Sequence, residues 1–374
     1  MSSALRLLHV APLPPPWSGI GVSVQHALAS RALHAQANWV INSSRGADIS
    51  AGARPKKPTP KRMLRHARLA ARVSRLVSKR HIQVVHVHGS SHDLSLFGNW
   101  LSIVAARVAG AHAVWHLHED LGVVAFPGRT PLTRRLFAAL MVAPDAVAVL
   151  TPKDRRLAST LVSERRVAVV PATCGADLLA LPITRSDAPV RVLYVGWLSR
   201  AKGIHDLVRI AAAVRDARPK IVFDVLGTGR TTADTDAVRR AIEESGLASV
   251  VLLHGVRTGQ DKAASFARAN VLCMPTYWDA FPVAILEAMS AGLPVVGTNV
   301  GGLPSMLEQP RGAMLTTVGD VDGMAGALLQ LARNPDLRHA MGAANRARFL
   351  AHYHPDRVGQ LMLDLYWRLV SGAD

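Results

Sequence analysis

Residues 271–302 read VLCMPTYWDAFPVAILEAMSAGLPVVGTNVGG. The pattern is strand, loop, helix, tight turn, strand. Val271 to Met274 is a short apolar run closed by Pro275. Pro282 suits the first turn of a helix, where its missing N–H costs nothing. Gly292 suits the residue just past the helix end, and Pro294 blocks continuation. The unpaired amides of the helix start, around Ala280, Phe281, Pro282 and Val283, form an anion site. Asp279 stands immediately before it. Glu287 lies inside the helix, roughly 7–8 Å along the axis from Pro282. Two carboxylates flanking an anion-binding helix start fit a ligand with phosphates in the middle and hydroxyl-bearing sugars at both ends.

Similar apolar runs alternate with helical stretches along the whole chain, which predicts parallel α/β sheets. In the front half the strands fall at Leu5–Val10, Asn38–Ile41, Gln83–Val87, Ala113–Leu117, Ala146–Leu150 and Val167–Val170. In the back half they fall at Val190–Val195, Ile221–Leu226, Val250–Leu253, Val271–Met274 and Pro294–Thr298. The polar, proline-bracketed stretch from Leu181 to Pro189 reads as a linker. This gives a front domain over 1–182, a back domain over 183–354 and a tail over 355–374. Helices are expected at Asp320–Ala332, Pro335–Leu350 and Pro355–Leu369.

The 374 residues allow two domains of ordinary size, and 49% hydrophobic content supports sizeable cores. No apolar run reaches 18 residues, and Leu5 to Val10 is short, contains Arg6 and His9 and runs into prolines, unlike a signal peptide. Two cysteines, Cys174 and Cys273, imply no disulfide framework. The expectation is a cytoplasmic protein. Net charge is +18, and residues 1–182 hold 23 Lys/Arg against 8 Asp/Glu, so the front half carries most of the excess. Residues 54–80 alone hold eleven Lys/Arg and no acid. From Lys61 they read as a helix with Met63, Ala67, Ala70, Val73 and Val77 on one side. An anionic partner follows: residues 54–80 suit peripheral attachment to an anionic surface on the inner face of the cell membrane, and a solvated face over a small apolar stripe is an equal reading. With 5% aromatic residues and no stacking platform in the basic run, specific nucleic-acid binding is not expected.

Other loops follow strands where chemistry is usually placed. Pro12 to Gly21 joins the first strand to the first helix, and Gly19 there lets backbone approach a phosphate; taken alone, the stretch reads better as a plain turn. Gly196 to Gly203 follows Val195 and carries Arg200 and Lys202, cations suited to a departing phosphate. Gly227 and the Gly255-Val256-Arg257 run follow two further back-half strands. Alternation sets His116 and His118 on one face of a front-half strand. No Cys or acid sits at structural zinc spacing, so no metal site is expected.

The Asp279 to Glu287 spacing, followed by Glu-Ala-Met and the Gly-Leu-Pro-Val-Val turn, resembles the retaining family 4 glycosyltransferases. So does the order Lys202-Gly203, Leu226-Gly227, His254-Gly255, Thr298 to Gly302. The resemblance implies the GT-B architecture, two Rossmann-like domains facing a central cleft, with the last helix crossing back onto the front domain. It implies a donor that is a nucleoside diphosphate sugar, UDP- or GDP-linked, and no separate cofactor. Lys202, Arg200 and the amides after Asp279 would meet the diphosphate, and Gly19, Gly227, Gly255, Val256 and Arg257 would line the nucleotide. Glu287 would hold the ribose. Asp279 and His118 would orient the sugar. His86 and His88 read as structural or acceptor-side. The reaction expected is metal-independent transfer, with retention, to a hydroxyl on a glycan or lipid-linked surface-polysaccharide precursor. A nucleotide-sugar epimerase or hydrolase on the same architecture, and a non-catalytic protein binding anionic surfaces, are the rivals.

Overall fold

A computed structural model describes residues 4–13, 18–43, 59–89, 93–124, 131–180, 184–217 and 220–372. The chain forms two compact units: Met1–Cys174 with Pro355–Asp374, and Gly175–His354. The division at Cys174/Gly175 falls ahead of the linker read at Leu181 to Pro189, whose first three residues lie outside the described set.

The first unit holds a parallel sheet of β1 (Arg6–Ala11), β2 (Ala37–Asn42), β3 (Val84–Gly89), β4 (His112–Leu117), β5 (Ala146–Val149) and β6 (Val167–Val169), in the order β2-β1-β3-β4-β5-β6. Side chains alternate between two buried faces, so each strand feeds two cores. Leu8, Val10, Val85, Val87 and Trp115 point into one of them. Leu5, Leu7, Val84, Val114 and Ala148 point into the other, where Val358, Met362, Leu365 and Tyr366 of the helix Pro355–Ser371 complete the packing.

The basic helix spans Pro60–Arg80. Thr59 caps it by accepting from the Arg62 amide at 3.4 Å, Pro60 fills its first turn, and His81 ends it in the left-handed region at φ 49°. Its buried stripe is His66, Ala70, Val73 and Val77. Met63 and Ala67, expected on that stripe, are exposed. His66 takes the inward place because its ring lies against Gly98, where a Cβ would come within 2.2 Å of it. Residues 54–58 of the basic run lie outside the described residues.

The second unit repeats the plan with β7 (Val190–Val195), β8 (Ile221–Leu226), β9 (Val251–Gly255), β10 (Val271–Met274), β11 (Val295–Thr298) and β12 (Ala313–Thr316). The order is β12-β11-β10-β7-β8-β9, all parallel. β12 is a strand that the apolar runs did not reveal. Among the described residues, no helix is long and apolar enough to cross a membrane.

Candidate functional site

In the second sheet the chain runs outward from β7 through β8 to β9, then returns to lay β10 on the other side of β7. The carboxyl ends of β7 and β10 therefore flank a topological switch point, where loops diverge and leave a crevice. The two loops there are tied together. The Tyr194 hydroxyl donates to the Trp197 carbonyl at 2.8 Å, and the Tyr277 amide donates to the Ala201 carbonyl at 3.0 Å. The Thr276 hydroxyl donates to the same Ala201 carbonyl at 3.1 Å. Gly203 sits at φ 71° with the Pro275 carbonyl oxygen 1.7 Å from where a Cβ would stand, so only glycine allows this approach.

Lys202 reaches across from the first loop and pairs with the Asp279 carboxylate of the second. Its ammonium also lies 3.5 Å from the Trp278 carbonyl oxygen. The other Asp279 oxygen accepts from the Phe281 amide at 3.3 Å. From the turn after β11 the Gly302 amide donates to the Asp279 carbonyl at 3.1 Å. Gly301, at φ 55°, brings its backbone so close that a Cβ would stand 1.8 Å from the Asp279 oxygen.

The helix Val283–Ser290 starts just beyond. Pro282 precedes it with ψ 122°, outside the helical region, so the helix begins one residue later than the sequence suggested. No side chain caps it, which leaves first-turn amides to a ligand or to solvent. Gly292 ends it at φ 67°, as its position in the sequence predicts.

Glu287 lies inward on this helix. Lys262, on the helix Gly259–Arg268, donates to its Oε1 at 2.6 Å. Oε2 is buried and has no hydrogen-bond partner among the described residues. Burial raises the carboxyl above its usual range, and the Lys262 charge offsets this only in part.

The remaining expected residues of this unit stand near the same strand ends. The Gly227 amide donates to the Gly255 carbonyl at 2.8 Å, joining the loops after β8 and β9. Val256 is exposed, and exposed Arg257 lies 3.5 Å from Asp261. Arg200 is exposed and, among the described residues, forms no ion pair with Asp279 or Glu287. Trp197, on the loop after β7, and Tyr277 and Trp278, on the loop after β10, are 40%, 38% and 36% exposed.

In the first unit, Gly19 opens the helix Gly19–Leu28, whose cap is Ser18, accepting from the Gly21 amide at 3.1 Å. Residues 14–17 of that loop lie outside the described residues. His118 follows β4, half-buried, with its Nε2 3.2 Å from His88 Nδ1. Sequence reasoning missed Lys262. Its only signal is its place within the first helical turns after β9, and no spacing rule links it to Glu287.

Two Rossmann-like units, each with a six-stranded parallel sheet, are the architecture called GT-B. Residues 189–334 match the family described as glycosyl transferases group 1. The chain is 27% identical over 314 residues to a D-inositol 3-phosphate glycosyltransferase of Paenarthrobacter aurescens, covering 78% of this chain and 76% of that one. It is 34% identical over 162 residues to the protein of the same name from Streptomyces scabiei, where the match spans 41% of this chain and only 36% of the relative. Among solved structures, Anabaena HepE in complex with UDP superposes with a TM-score of 0.74 at 15% identity, over 96% of this chain and 99% of that one. The chain is thus a glycosyltransferase of GT-B fold, and its second unit carries the group 1 domain.

Proposed function

We propose that the chain is a retaining family 4 transferase, moving a sugar from a UDP- or GDP-linked donor to a hydroxyl of a glycan or lipid-linked surface-polysaccharide precursor. One observation carries the reading: Lys202, the uncapped start of Val283–Ser290 and the free Glu287 oxygen all belong to one switch-point crevice. The diphosphate draws the Lys202 ammonium from Asp279 and rests on the first-turn amides. Positive charge and N–H dipoles then meet the negative charge that grows as the glycosyl bond breaks. Glu287 Oε2 accepts a ribose hydroxyl while Lys262 holds the other oxygen. Asp279, released from Lys202, accepts from a sugar hydroxyl. Attack on the same face by the acceptor hydroxyl retains the anomeric configuration. The UDP named in the HepE complex supports a UDP donor by analogy of fold.

Calorimetric titration with UDP, GDP and their sugars tests the site. Binding of one series that disappears in Lys202→Ala supports it; failure of all to bind removes it. Incubating the bound donor without acceptor separates transfer from epimerisation or hydrolysis, since an epimerised sugar or free monosaccharide at transfer-like rates favours the rivals.

A membrane role for the helix Pro60–Arg80 rests on its exposed surface. Met63 and Leu64 are 48% and 50% exposed among basic side chains. Such a face inserts apolar groups at a headgroup boundary while its cations meet anionic lipid. Co-sedimentation with phosphatidylglycerol vesicles at low salt is the check, and absence of binding discards the idea.

A further inference from the structure

Five histidines converge on one face of the first unit's sheet. Strand alternation sends His9, His86, His88, His116 and His118 to the same side, and the register sets His9 beside His86 and His88 beside His116. Ring centroids lie 4.0 Å apart for His86 and His88, 4.1 Å for His116 and His118, and 5.2 Å for His86 and His116. All but His118 are buried. Elsewhere this face is an apolar core. Five imidazoles there are costly unless their nitrogens find partners.

The hydrogen bonds do not account for all of them. His116 Nε2 stands 2.9 Å from the Val170 carbonyl oxygen. A carbonyl only accepts, so the proton is on Nε2 and Nδ1 presents a lone pair. That Nδ1 is buried without a partner among the described residues. One ring nitrogen from each of His88, His116 and His118 lies within 4.8 Å of the others. His88 Nδ1 and His118 Nε2 are 3.2 Å apart. Two imidazole nitrogens on a tetrahedral zinc ion, each bonded at 2.0–2.1 Å, are separated by about 3.3 Å. That contact serves as a hydrogen bond between the two rings, and its spacing also matches that of a ligand pair.

We propose that His88, His116 and His118 form a mononuclear site for a divalent first-row metal ion, with zinc the best-suited probe. All-imidazole donors suit zinc, copper or nickel. The Val170 carbonyl is the outer partner that fixes the tautomer of a ligating histidine. A second triad, His9, His86 and His88, is also within ligand reach of one ion. It has no exposed member, and the Tyr366 hydroxyl lies 2.5 Å from His86 Nδ1. The first triad includes half-buried His118, which gives an ion a way in and leaves a fourth position for water. No step of the proposed transfer is needed for this site to exist. Spacing along the chain gave no hint of it, because three strand registers assemble the donors.

Titration of the metal-free full-length chain with Co2+, followed by visible absorption, tests the proposal. One equivalent should bind with the intense d–d bands of a low-coordinate site, and Zn2+ should displace it. His116→Gln and His118→Gln should each weaken binding by more than the about 10–100-fold cost of losing an outer partner. His112→Gln, outside the cluster, should bind as the parent does. Circular dichroism melting shows which variants are folded, and half-buried His118 gives the variant least exposed to folding failure. Zinc-edge X-ray absorption should find three imidazoles at about 2.0 Å. A parent chain that binds Co2+ no better than His118→Gln overturns the site. So does a folded His9→Gln that loses binding while folded His116→Gln keeps it.

Discussion

Lys262 Nζ stands 2.6 Å from Glu287 Oε1, and the second oxygen of that carboxylate is buried with no hydrogen-bond partner among the described residues. The side chains are 28% and 12% exposed, so the pair is largely shielded from water. A buried carboxylate with one oxygen held and one open is prepared to accept a hydroxyl without reorganising. Lys262→Met removes the holder and leaves a shielded charge. It should lower stability by about 2 kcal/mol, below the range for fully buried pairs, read as a fall in melting temperature by calorimetry. Nucleotide affinity should fall with it, because the carboxylate loses its fixed geometry.

Glu287 also predicts a pH dependence. Its carboxyl is raised above the ordinary value by burial, so the folded chain holds that proton to higher pH than the unfolded chain does. The group's contribution to stability is therefore fully present below the unfolded value, near 4.5, and is lost as pH rises through the raised folded value. Glu287→Gln should flatten this part of the curve, melting no lower than the parent at neutral pH while binding nucleotide more weakly. A steeper loss of stability with rising pH in the Gln variant would contradict the assignment.

Under the transferase reading, Lys202→Ala and Glu287→Ala each remove a contact to the donor. Loss of one charge-stabilising donor in such a site costs about 10²–10³ in turnover. Steady-state rates with saturating donor and acceptor should show a drop of that order for Lys202→Ala, with circular dichroism confirming that the variant is folded. Near-parent turnover in either variant would remove that residue from the site.

Gly301→Ala should be far more damaging than Gly319→Ala. Both glycines have positive φ, at 55° and 79°. Yet a Cβ on Gly301 meets the Asp279 carbonyl oxygen at 1.8 Å, whereas one on Gly319 meets nothing within 4 Å. Gly319→Ala should cost about 1 kcal/mol from backbone strain alone. Gly301→Ala should cost more and weaken nucleotide binding by displacing the loop that carries Asp279. Paired melting and titration experiments make the comparison.

Tyr366 predicts a local effect in the first unit. Its hydroxyl meets His86 Nδ1 across 280 residues of chain, in a fully buried setting. Tyr366→Phe keeps the packing and drops one hydrogen bond, so a loss of about 1 kcal/mol is expected, read by denaturant titration.

The sequence and the fold agree best where strands are apolar throughout and ended by glycine or proline. β7, β8 and β10 occupy the residues read for them, and the loops after them hold Lys202, Gly227 and Asp279. β12 escaped because it lies at the sheet edge with only its first residue fully buried, and its apolar run is only three residues, Ala313 to Leu315. The Lys262–Glu287 pair escaped because a contact between two helices has no period in one chain. The same holds for the histidine face: His86 and His88 were visible as a pair on one strand, but His9 joins them only through the parallel register of β1 and β3. The buried stripe of the basic helix was misread at Met63 and Ala67 because a histidine, not an apolar residue, fills the inward place there.

The helix Pro355–Ser371 contributes Val358, Met362, Leu365 and Tyr366 to the first unit's core. During synthesis, that core stays open on one side until those residues leave the ribosome. Residues 175–354 emerge whole before then and can fold to completion first. The unit encoded first is therefore the one finished last, and while it waits its exposed strands are the part of the nascent chain that chaperones have most reason to shield.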